Sequence, residues 1–184
     1  MHGCIRLGNQ LIMFMSYIPS LSLGNVWSKL LHENKNSIPD RLNEILERLR
    51  TLRQPDGLPI GGVAGEAAWE IRCNNEVRKF SKPISTLLGF QRYFAALADW
   101  DLAKWPYMQL LHSVVPPPEP GSVFTHGELR PGNIMVDEDE NGRYFVTRII
   151  DWEFSGFYPE YQERFSMTRY VRFGLHDDFL SLSP

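Results

Sequence analysis

The chain has 184 residues, the length of one ordinary domain, and its 43% hydrophobic and 12% aromatic residues are enough to bury a core. This composition excludes a disordered chain, and a net charge of −3 without any block of like charge argues against nucleic acid as a partner. Cys4 and Cys73 form neither a disulfide framework nor a metal-ligand spacing, so a reduced, cytoplasmic protein is predicted.

The first predicted element is a strand over residues 11–15, a continuous apolar run (LIMFM) typical of a buried strand. The segment over residues 16–20 (SYIPS) then ends this strand, because its proline fixes the backbone. The interrupted apolar stretch over residues 11–23 is too short to span a bilayer, and no small-residue cleavage site marks it as a signal peptide. We therefore predict no membrane contact.

Two helices are predicted next. Apolar residues recur at helical spacing over residues 26–31, which indicates a short helix. A longer helix is predicted over residues 37–52, with Ser37 as its N-cap and Pro39 in its first turn. Its apolar face consists of Ile38, Leu42, Ile45, Leu46, Leu49 and Leu52. The pattern indicates a helix that packs against the core.

Most of the remaining chain divides by composition into segments that carry no chemical motif. These are a loop over residues 54–65, an irregular stretch over 66–83, a helical stretch over 84–115, a proline-rich linker over 116–121, a short strand over 123–125 and a final helix within 162–179. The glycines of the first loop match neither phosphate-binding pattern, so we interpret that loop as a connector.

The stretch that carries chemistry runs from His126 to Asn133 (HGELRPGN). Glu128 lies five residues before Asn133, and Asp151 lies eighteen residues after it, behind a second apolar run. A hairpin predicted over residues 134–150 brings Asn133 and Asp151 together at its open end. One carboxylate and one amide oxygen side by side suit Mg²⁺, and Glu128 nearby suits a base that accepts the proton of a hydroxyl.

This stretch, together with residues 150–156 (IDWEFSG), resembles the aminoglycoside phosphotransferase and choline kinase-like family. That family usually reads H-G-D-x-x-x-x-N in the first motif and I-D-W-E-x-x-G in the second. The resemblance implies that Glu128, in place of the usual aspartate, is the catalytic base and that Asn133 and Asp151 bind Mg²⁺. It also implies a structural role for His126 within the loop, and contact of Arg130 with phosphate or substrate.

A second, shorter match lies near the N-terminus. Related proteins read close to E-Y-I-P-G where this chain has SYIPS, and there the backbone holds the adenine ring. The resemblance thus implies that Ser16, Tyr17 and Ile18 form a nucleotide hinge, that ATP is the phosphoryl donor, and that a small-molecule hydroxyl is the acceptor.

Each of these residues, taken singly, has a plainer explanation. Asn133 before a strand fits a turn residue, and Asp151 after a strand fits a helix cap. His126 fits a hydrogen-bonded loop residue, and the hinge segment fits a core strand that enters a proline turn. Their spacing as a set favours the functional interpretation.

The resemblance implies an α+β, protein kinase-like fold formed by residues 1–184 as a single domain. Residues 1–20 would be the last strand of the N-terminal lobe and the hinge, and residues 21–184 a mostly helical C-terminal lobe with a short β-hairpin that carries the catalytic and metal loops. The N-terminal lobe is largely absent, because the first lysine is Lys29 and no glycine-rich cover precedes it. A truncated gene model, a degenerate relative and a lobe supplied by a partner chain remain alternatives.

Two functions remain open. The first is an ATP-dependent phosphotransferase that acts on a small-molecule hydroxyl. The second is a non-catalytic, pseudokinase-like fragment that acts as a binding or interaction module. The motifs favour the first and the absent lysine favours the second, so whether the chain is an enzyme stays open, as does its acceptor.

Overall fold

The computed structural model describes residues 2–71, 77–79, 83–91 and 121–168. Within these ranges the strands are β1 (Gly3–Leu7), β2 (Gln10–Phe14), β3 (Leu21–Ser22), β4 (Trp69–Ile71), β5 (Val77–Lys79), β6 (Val123–Thr125), β7 (Ile134–Glu138), β8 (Tyr144–Ile149) and β9 (Gly156–Tyr158). Besides the helical residues 87–91, the α-helices of the described residues are α1 (Leu23–Val26), α2 (His32–Arg50) and α3 (Tyr161–Thr168). Short 3-10 helices span Trp27–Lys29, Pro131–Asn133 and Trp152–Phe154.

The strands pair only in antiparallel fashion within the described residues. β3, β7 and β8 form a three-stranded sheet in that order, and β1–β2, β4–β5 and β6–β9 form two-stranded sheets. The described part of the chain is therefore mixed α+β, as predicted. The division into lobes stays a prediction, because most of the predicted helical stretch over residues 84–115 lies outside the described residues; residues 87–91 are helical.

The main core lies between α1, α2 and the sheet β3–β7–β8. Its buried side chains are Leu23, Val26, Trp27, Leu30, Ile38, Leu42, Leu46, Leu129, Ile134, Val136, Val146 and Met167. The predicted apolar face of α2 thus packs inward, apart from Leu52, which lies beyond the helix end and is exposed. Removing such apolar surface from water is the dominant stabilising term in folding.

The predicted start of α2 is wrong. The helix begins at His32, so Ser37 and Pro39 lie inside it instead of at its first turn. The Ser37 hydroxyl donates to the carbonyl of Asn34 at 2.9 Å, and this bond within the helix replaces the predicted capping bond. Burial of the following apolar face outweighs the backbone hydrogen bond that Pro39 removes.

The predicted hairpin over residues 134–150 is confirmed as β7 and β8. Its turn is stabilised by Asp139, whose Oδ1 accepts the N–H groups of Asn141 and Arg143 at 2.9 Å each. Gly142 takes a φ of +76° there, which glycine adopts without steric cost. A β-bulge at Thr147 shifts the register, and its hydroxyl donates to the Met135 carbonyl at 3.2 Å.

The strand predicted over residues 11–15 forms as β2, but the prediction that it is buried is wrong. All five residues of β2 are exposed, and so are four of the five in β1. A two-stranded hairpin buries a face only when another layer packs on it, and the described residues supply none here. The hairpin consequently exposes a run of apolar side chains.

Residues 66–83, predicted to be irregular, contain the antiparallel pair β4–β5. Among the helices of the described residues, none has both the length and the hydropathy needed to cross a bilayer.

Candidate active site

Two loops face each other at one end of the sheets. The first loop comprises residues 126–133 and the second loop residues 150–155. β6 pairs with β9 so that Thr125 lies opposite Gly156, and β7 pairs with β8 so that Ile134 lies opposite Ile149. Each loop therefore connects one strand of the β6–β9 pair with one strand of the β7–β8 pair, so both of its ends are held by strand pairing. The sequence predicted the second pairing but not the first.

His126 joins the two loops. Its ring lies in full burial, and Nε2 donates to the Ile150 carbonyl at 2.9 Å while Nδ1 accepts the Glu128 N–H at 3.2 Å. These two bonds require the neutral imidazole with its proton on Nε2. Burial lowers the pKa of His126, against smaller raising effects from the Ile150 carbonyl, Asp151 and Glu128. Both nitrogens are engaged, which fits the structural role implied for this residue.

Trp152 packs against the same imidazole. The two rings meet edge to face with centroids 4.6 Å apart, and the Trp152 Nε1–H donates to the Ile149 carbonyl at 2.9 Å. The indole therefore fixes the second loop against the first.

Leu129 anchors the first loop in the core, and its two neighbours are less buried than it is. Leu129 is fully buried, whereas the side chain of Glu128 is 13% exposed and that of Arg130 is 42% exposed. Asn133 is also buried, and its Nδ2 donates to the Glu128 carbonyl at 2.9 Å and lies 3.5 Å from Glu128 Oε2. The backbone of Glu128 is therefore held on both sides, through its N–H by His126 and through its carbonyl by Asn133.

Asp151 occupies an unusual backbone conformation, with φ +68° and ψ +59°. It is the one non-glycine residue with positive φ among the described residues. It precedes the 3-10 helix Trp152–Phe154, yet its carboxylate makes no capping hydrogen bond. The plainer explanation of Asp151 as a cap is therefore not supported. Backbone strain of this kind concentrates at functional sites.

Three carboxylates gather where the loops meet. One oxygen each of Glu128, Asp151 and Glu153 lie within 4.8 Å of one another. Burial raises the pKa of Glu153, and the negative charges of Asp151 and Glu128 raise it further, while Arg130 opposes them. Oxygen ligands at this spacing suit a hard divalent cation such as Mg²⁺.

Arg130 lies between two of these carboxylates. Its Nε is 3.9 Å from Glu128 Oε1 and its Nη2 is 3.9 Å from Asp151 Oδ2. Both distances are long for an ion pair, and the Arg130 side chain is 42% exposed, so solvent screens its attraction to the two carboxylates.

The other implied residues lie on a separate segment. Ser16, Tyr17 and Ile18 form the connector between β2 and β3, where Tyr17 is 88% exposed and Ser16 Oγ lies 2.8 Å from His2 Nε2. The Thr147 hydroxyl lies 3.4 Å from Ser20 Oγ, so this connector passes beside β8. The hinge role stays a prediction.

Two acidic residues of the site were not predicted. Glu153 belongs to the IDWEFSG segment but was given no role, although its place two residues after Asp151 was a usable signal. Glu163 lies in α3, and its buried carboxylate accepts the His126 N–H at 2.6 Å across 37 residues of sequence. No local pattern could have indicated that contact.

Gly127 gives a stability prediction. It has a φ of +85°, and a Cβ there would clash with the Phe154 carbonyl oxygen. We expect Gly127→Ala to lower the free energy of unfolding by roughly 2 kcal/mol or more, through backbone strain and overpacking together. Urea denaturation measures this loss. Gly57→Ala is the matched control, because Gly57 has a φ of +80° but open space around its Cβ position. Equal losses in the two variants would contradict a close approach between the loops.

The site as a whole defines a class of protein. A core-anchored loop with a carboxylate and an amide five residues apart, facing a second loop with a strained aspartate, is typical of phosphoryl-transfer enzymes with kinase-like loops. A model of the APH phosphotransferase enzyme family matches residues 3–181, and the chain belongs to that family. The resemblance noted in the sequence is thereby confirmed. No curated protein matches the chain. The family implies a protein kinase-like fold, and its phosphotransferases generally use ATP and Mg²⁺.

Proposed function

We propose that this chain transfers the γ-phosphoryl group of Mg²⁺·ATP to the hydroxyl of a small molecule. The observation that carries this proposal is the meeting of Glu128, Asn133 and Asp151 at two loops that are fixed by strand pairs on either side. Family membership supports the reaction type.

In this reaction a bond forms between the acceptor oxygen and the γ-phosphorus, and the bond from that phosphorus to the β–γ bridging oxygen breaks. ADP leaves with the electron pair, and the Glu128 carboxylate takes the proton of the acceptor hydroxyl. Asp151 and Asn133 Oδ1 would hold Mg²⁺, because Asn133 Nδ2 is already engaged with Glu128. The bound metal would offset the negative charge of the phosphates.

Arg130 supplies a positive charge in this proposal. Its guanidinium lies 3.9 Å from both Glu128 and Asp151, beside the carboxylates of the site. Positive charge aimed at the oxygens of the transferred phosphoryl group lowers the barrier, because negative charge develops there. The backbone of Ser16, Tyr17 and Ile18 would hold the adenine ring.

The test is a calorimetric titration of ATP into the full chain, with and without Mg²⁺. Binding that requires Mg²⁺, in the micromolar to millimolar range of ordinary substrates, supports the proposal and justifies a screen of hydroxyl acceptors by ADP release. Binding that is equally strong without Mg²⁺, or absent altogether, contradicts it.

A second candidate function is supported by the exposed hairpin β1–β2. Its large apolar side chains, each between 36% and 64% exposed, are Ile5, Leu7, Leu11, Ile12, Met13, Phe14 and Met15. Exposed apolar clusters mark interaction sites, and strands without neighbours accept further strands. The candidate is an interaction module that docks a β-rich partner chain on this hairpin, with or without catalysis.

This candidate predicts association that depends on the hairpin. In the absence of the partner chain, copies of the protein should associate with rising concentration, and Ile12→Glu combined with Phe14→Glu should return them to monomers in sedimentation velocity. Leu31→Glu is the control, because Leu31 is 71% exposed but lies outside the hairpin. A wild-type chain that stays monomeric at every concentration would count against the interaction module.

A further inference from the structure

The Glu163 side chain accepts hydrogen bonds from the backbone at the start of the first loop. Its Oε2 accepts the His126 N–H at 2.6 Å, and the Gly127 N–H also donates to this carboxyl. The next N–H along the chain, that of Glu128, donates to His126 Nδ1. Three consecutive backbone donors therefore have acceptors, and two of these donors depend on one side chain from α3.

This carboxylate occupies an environment that normally disfavours charge. Glu163 is 3% exposed, and burial raises the pKa of its carboxyl, while the His126 and Gly127 N–H groups, Ser166 and Arg50 lower it. The fully buried Ser166 hydroxyl donates to the Glu163 backbone carbonyl at 2.7 Å and lies 3.4 Å from Oε1. A buried carboxyl is costly unless its oxygens are hydrogen-bonded, and here the loop itself supplies the donors.

The loop needs such a partner because of its own geometry. Gly127 has a positive φ, and the space where a Cβ would stand is filled by the Phe154 carbonyl, so the chain turns sharply just before Glu128. Consecutive N–H groups in a turn of this kind point towards one region, and a carboxylate with two oxygens can accept both. A single neutral acceptor would hold them less well.

We propose that Glu163 is a positioning residue: it fixes the His126–Gly127 backbone and thereby sets the place of the Glu128 carboxylate. This role rests on the proposed function of Glu128 as the base. Phosphoryl transfer depends on alignment more than on covalent chemistry by the protein. A displacement of about 1 Å at the base can lower the rate about 100-fold.

The test compares Glu163→Gln and Glu163→Asp with Glu160→Gln in the full chain. Glutamine keeps the size but loses the charge and one acceptor, whereas aspartate keeps the charge. Glu160→Gln is the matched control, because Glu160 lies just before α3 and its carboxylate is half exposed beside Arg50. We expect Glu163→Gln to lower kcat about 100-fold with KM changed less than about threefold, and aspartate to recover part of the loss. A folded Glu163→Gln protein with unchanged kcat would overturn the proposal.

Nuclear magnetic resonance separates this proposal from the proposed function. The amide protons of His126 and Gly127 should resonate far downfield in the wild-type chain and exchange slowly, because they donate to a buried carboxylate. In Glu163→Gln they should move upfield and exchange faster, and the Glu128 side-chain signals should change with them. If the wild-type chain shows no turnover, these signals still decide: altered Glu128 signals support positioning, and unaltered ones contradict it. If the glutamine variant does not fold, the same comparison is made with aspartate.

Discussion

Asp151→Asn is expected to reduce magnesium-dependent ATP binding and phosphoryl transfer roughly 1,000-fold, because a metal that neutralises the phosphates is worth several kcal/mol. The carboxylate of Asp151 makes no capping hydrogen bond, and one of its oxygens lies within 4.8 Å of an oxygen of Glu128 and of Glu153. Its neutral amide counterpart has the same size but half the ligand oxygens and no charge. Titration of Mg²⁺·ATP and ADP release measure the two effects.

The choice of asparagine matters because of the backbone. Asp151 has positive φ, a conformation that asparagine and aspartate tolerate better than other non-glycine residues. Asp151→Ala would both strain the backbone and remove the ligand, so weaker Mg²⁺·ATP binding in that variant would not identify the cause. Asp151→Gly relaxes the backbone and removes the carboxylate, and it should match the asparagine variant in function. If Asp151→Gly retains magnesium-dependent binding, Asp151 is not a metal ligand.

Glu160→Gln completes this comparison, since it removes one carboxylate outside the two loops. A loss of function similar to that of Asp151→Asn would point to net charge instead of metal binding as the cause.

The hairpin β7–β8 could be predicted from the sequence because its signals are local. Two apolar runs flank a turn that contains Asp139, Asn141 and Gly142, and each of these residues stabilises a turn by its own chemistry. The contact between the two loops at the open end of this hairpin, where the Ile150 N–H donates to the Asn133 carbonyl at 2.9 Å, followed from the hairpin alone. Asn133 and Asp151 could therefore be named as candidate metal ligands from local signals.

The other half of the site depends on contacts between distant segments. Glu163 in the sequence looks like an ordinary charged residue of a surface helix, and only the approach of α3 to the first loop buries it. The exposure of β2 was missed for a related reason. An apolar run shows that a strand is suited to burial, but it does not show whether another layer packs on it. The pairing of β6 with β9 likewise joins strands that are too short to carry a clear pattern.

Glu128→Gln distinguishes two roles that the geometry leaves to this residue. As the base, Glu128 accepts the proton of the acceptor, and its loss should lower kcat by about 100- to 10,000-fold while Mg²⁺·ATP binds with unchanged affinity. If Glu128 is instead a metal ligand within the group of three carboxylates, Glu128→Gln should lower Mg²⁺·ATP affinity and kcat together, as expected for Asp151→Asn. Binding by calorimetry and turnover by ADP release, measured on the same preparation, separate these outcomes.

Two further variants complete this test. Glu128→Asp restores the residue that the family usually carries, and we expect it to retain measurable turnover, since the shorter carboxylate keeps the charge and the backbone on both sides is held by His126 and Asn133. Glu153→Gln is the matched control for charge in the same group. If Glu153→Gln lowers kcat as much as Glu128→Gln does, with binding intact in both, then proton transfer cannot be assigned to Glu128. The pH dependence of kcat in the two variants would then show whether Glu128 or Glu153 is the base. The comparison is informative because the pKa of Glu153 is raised by burial and by its acidic neighbours.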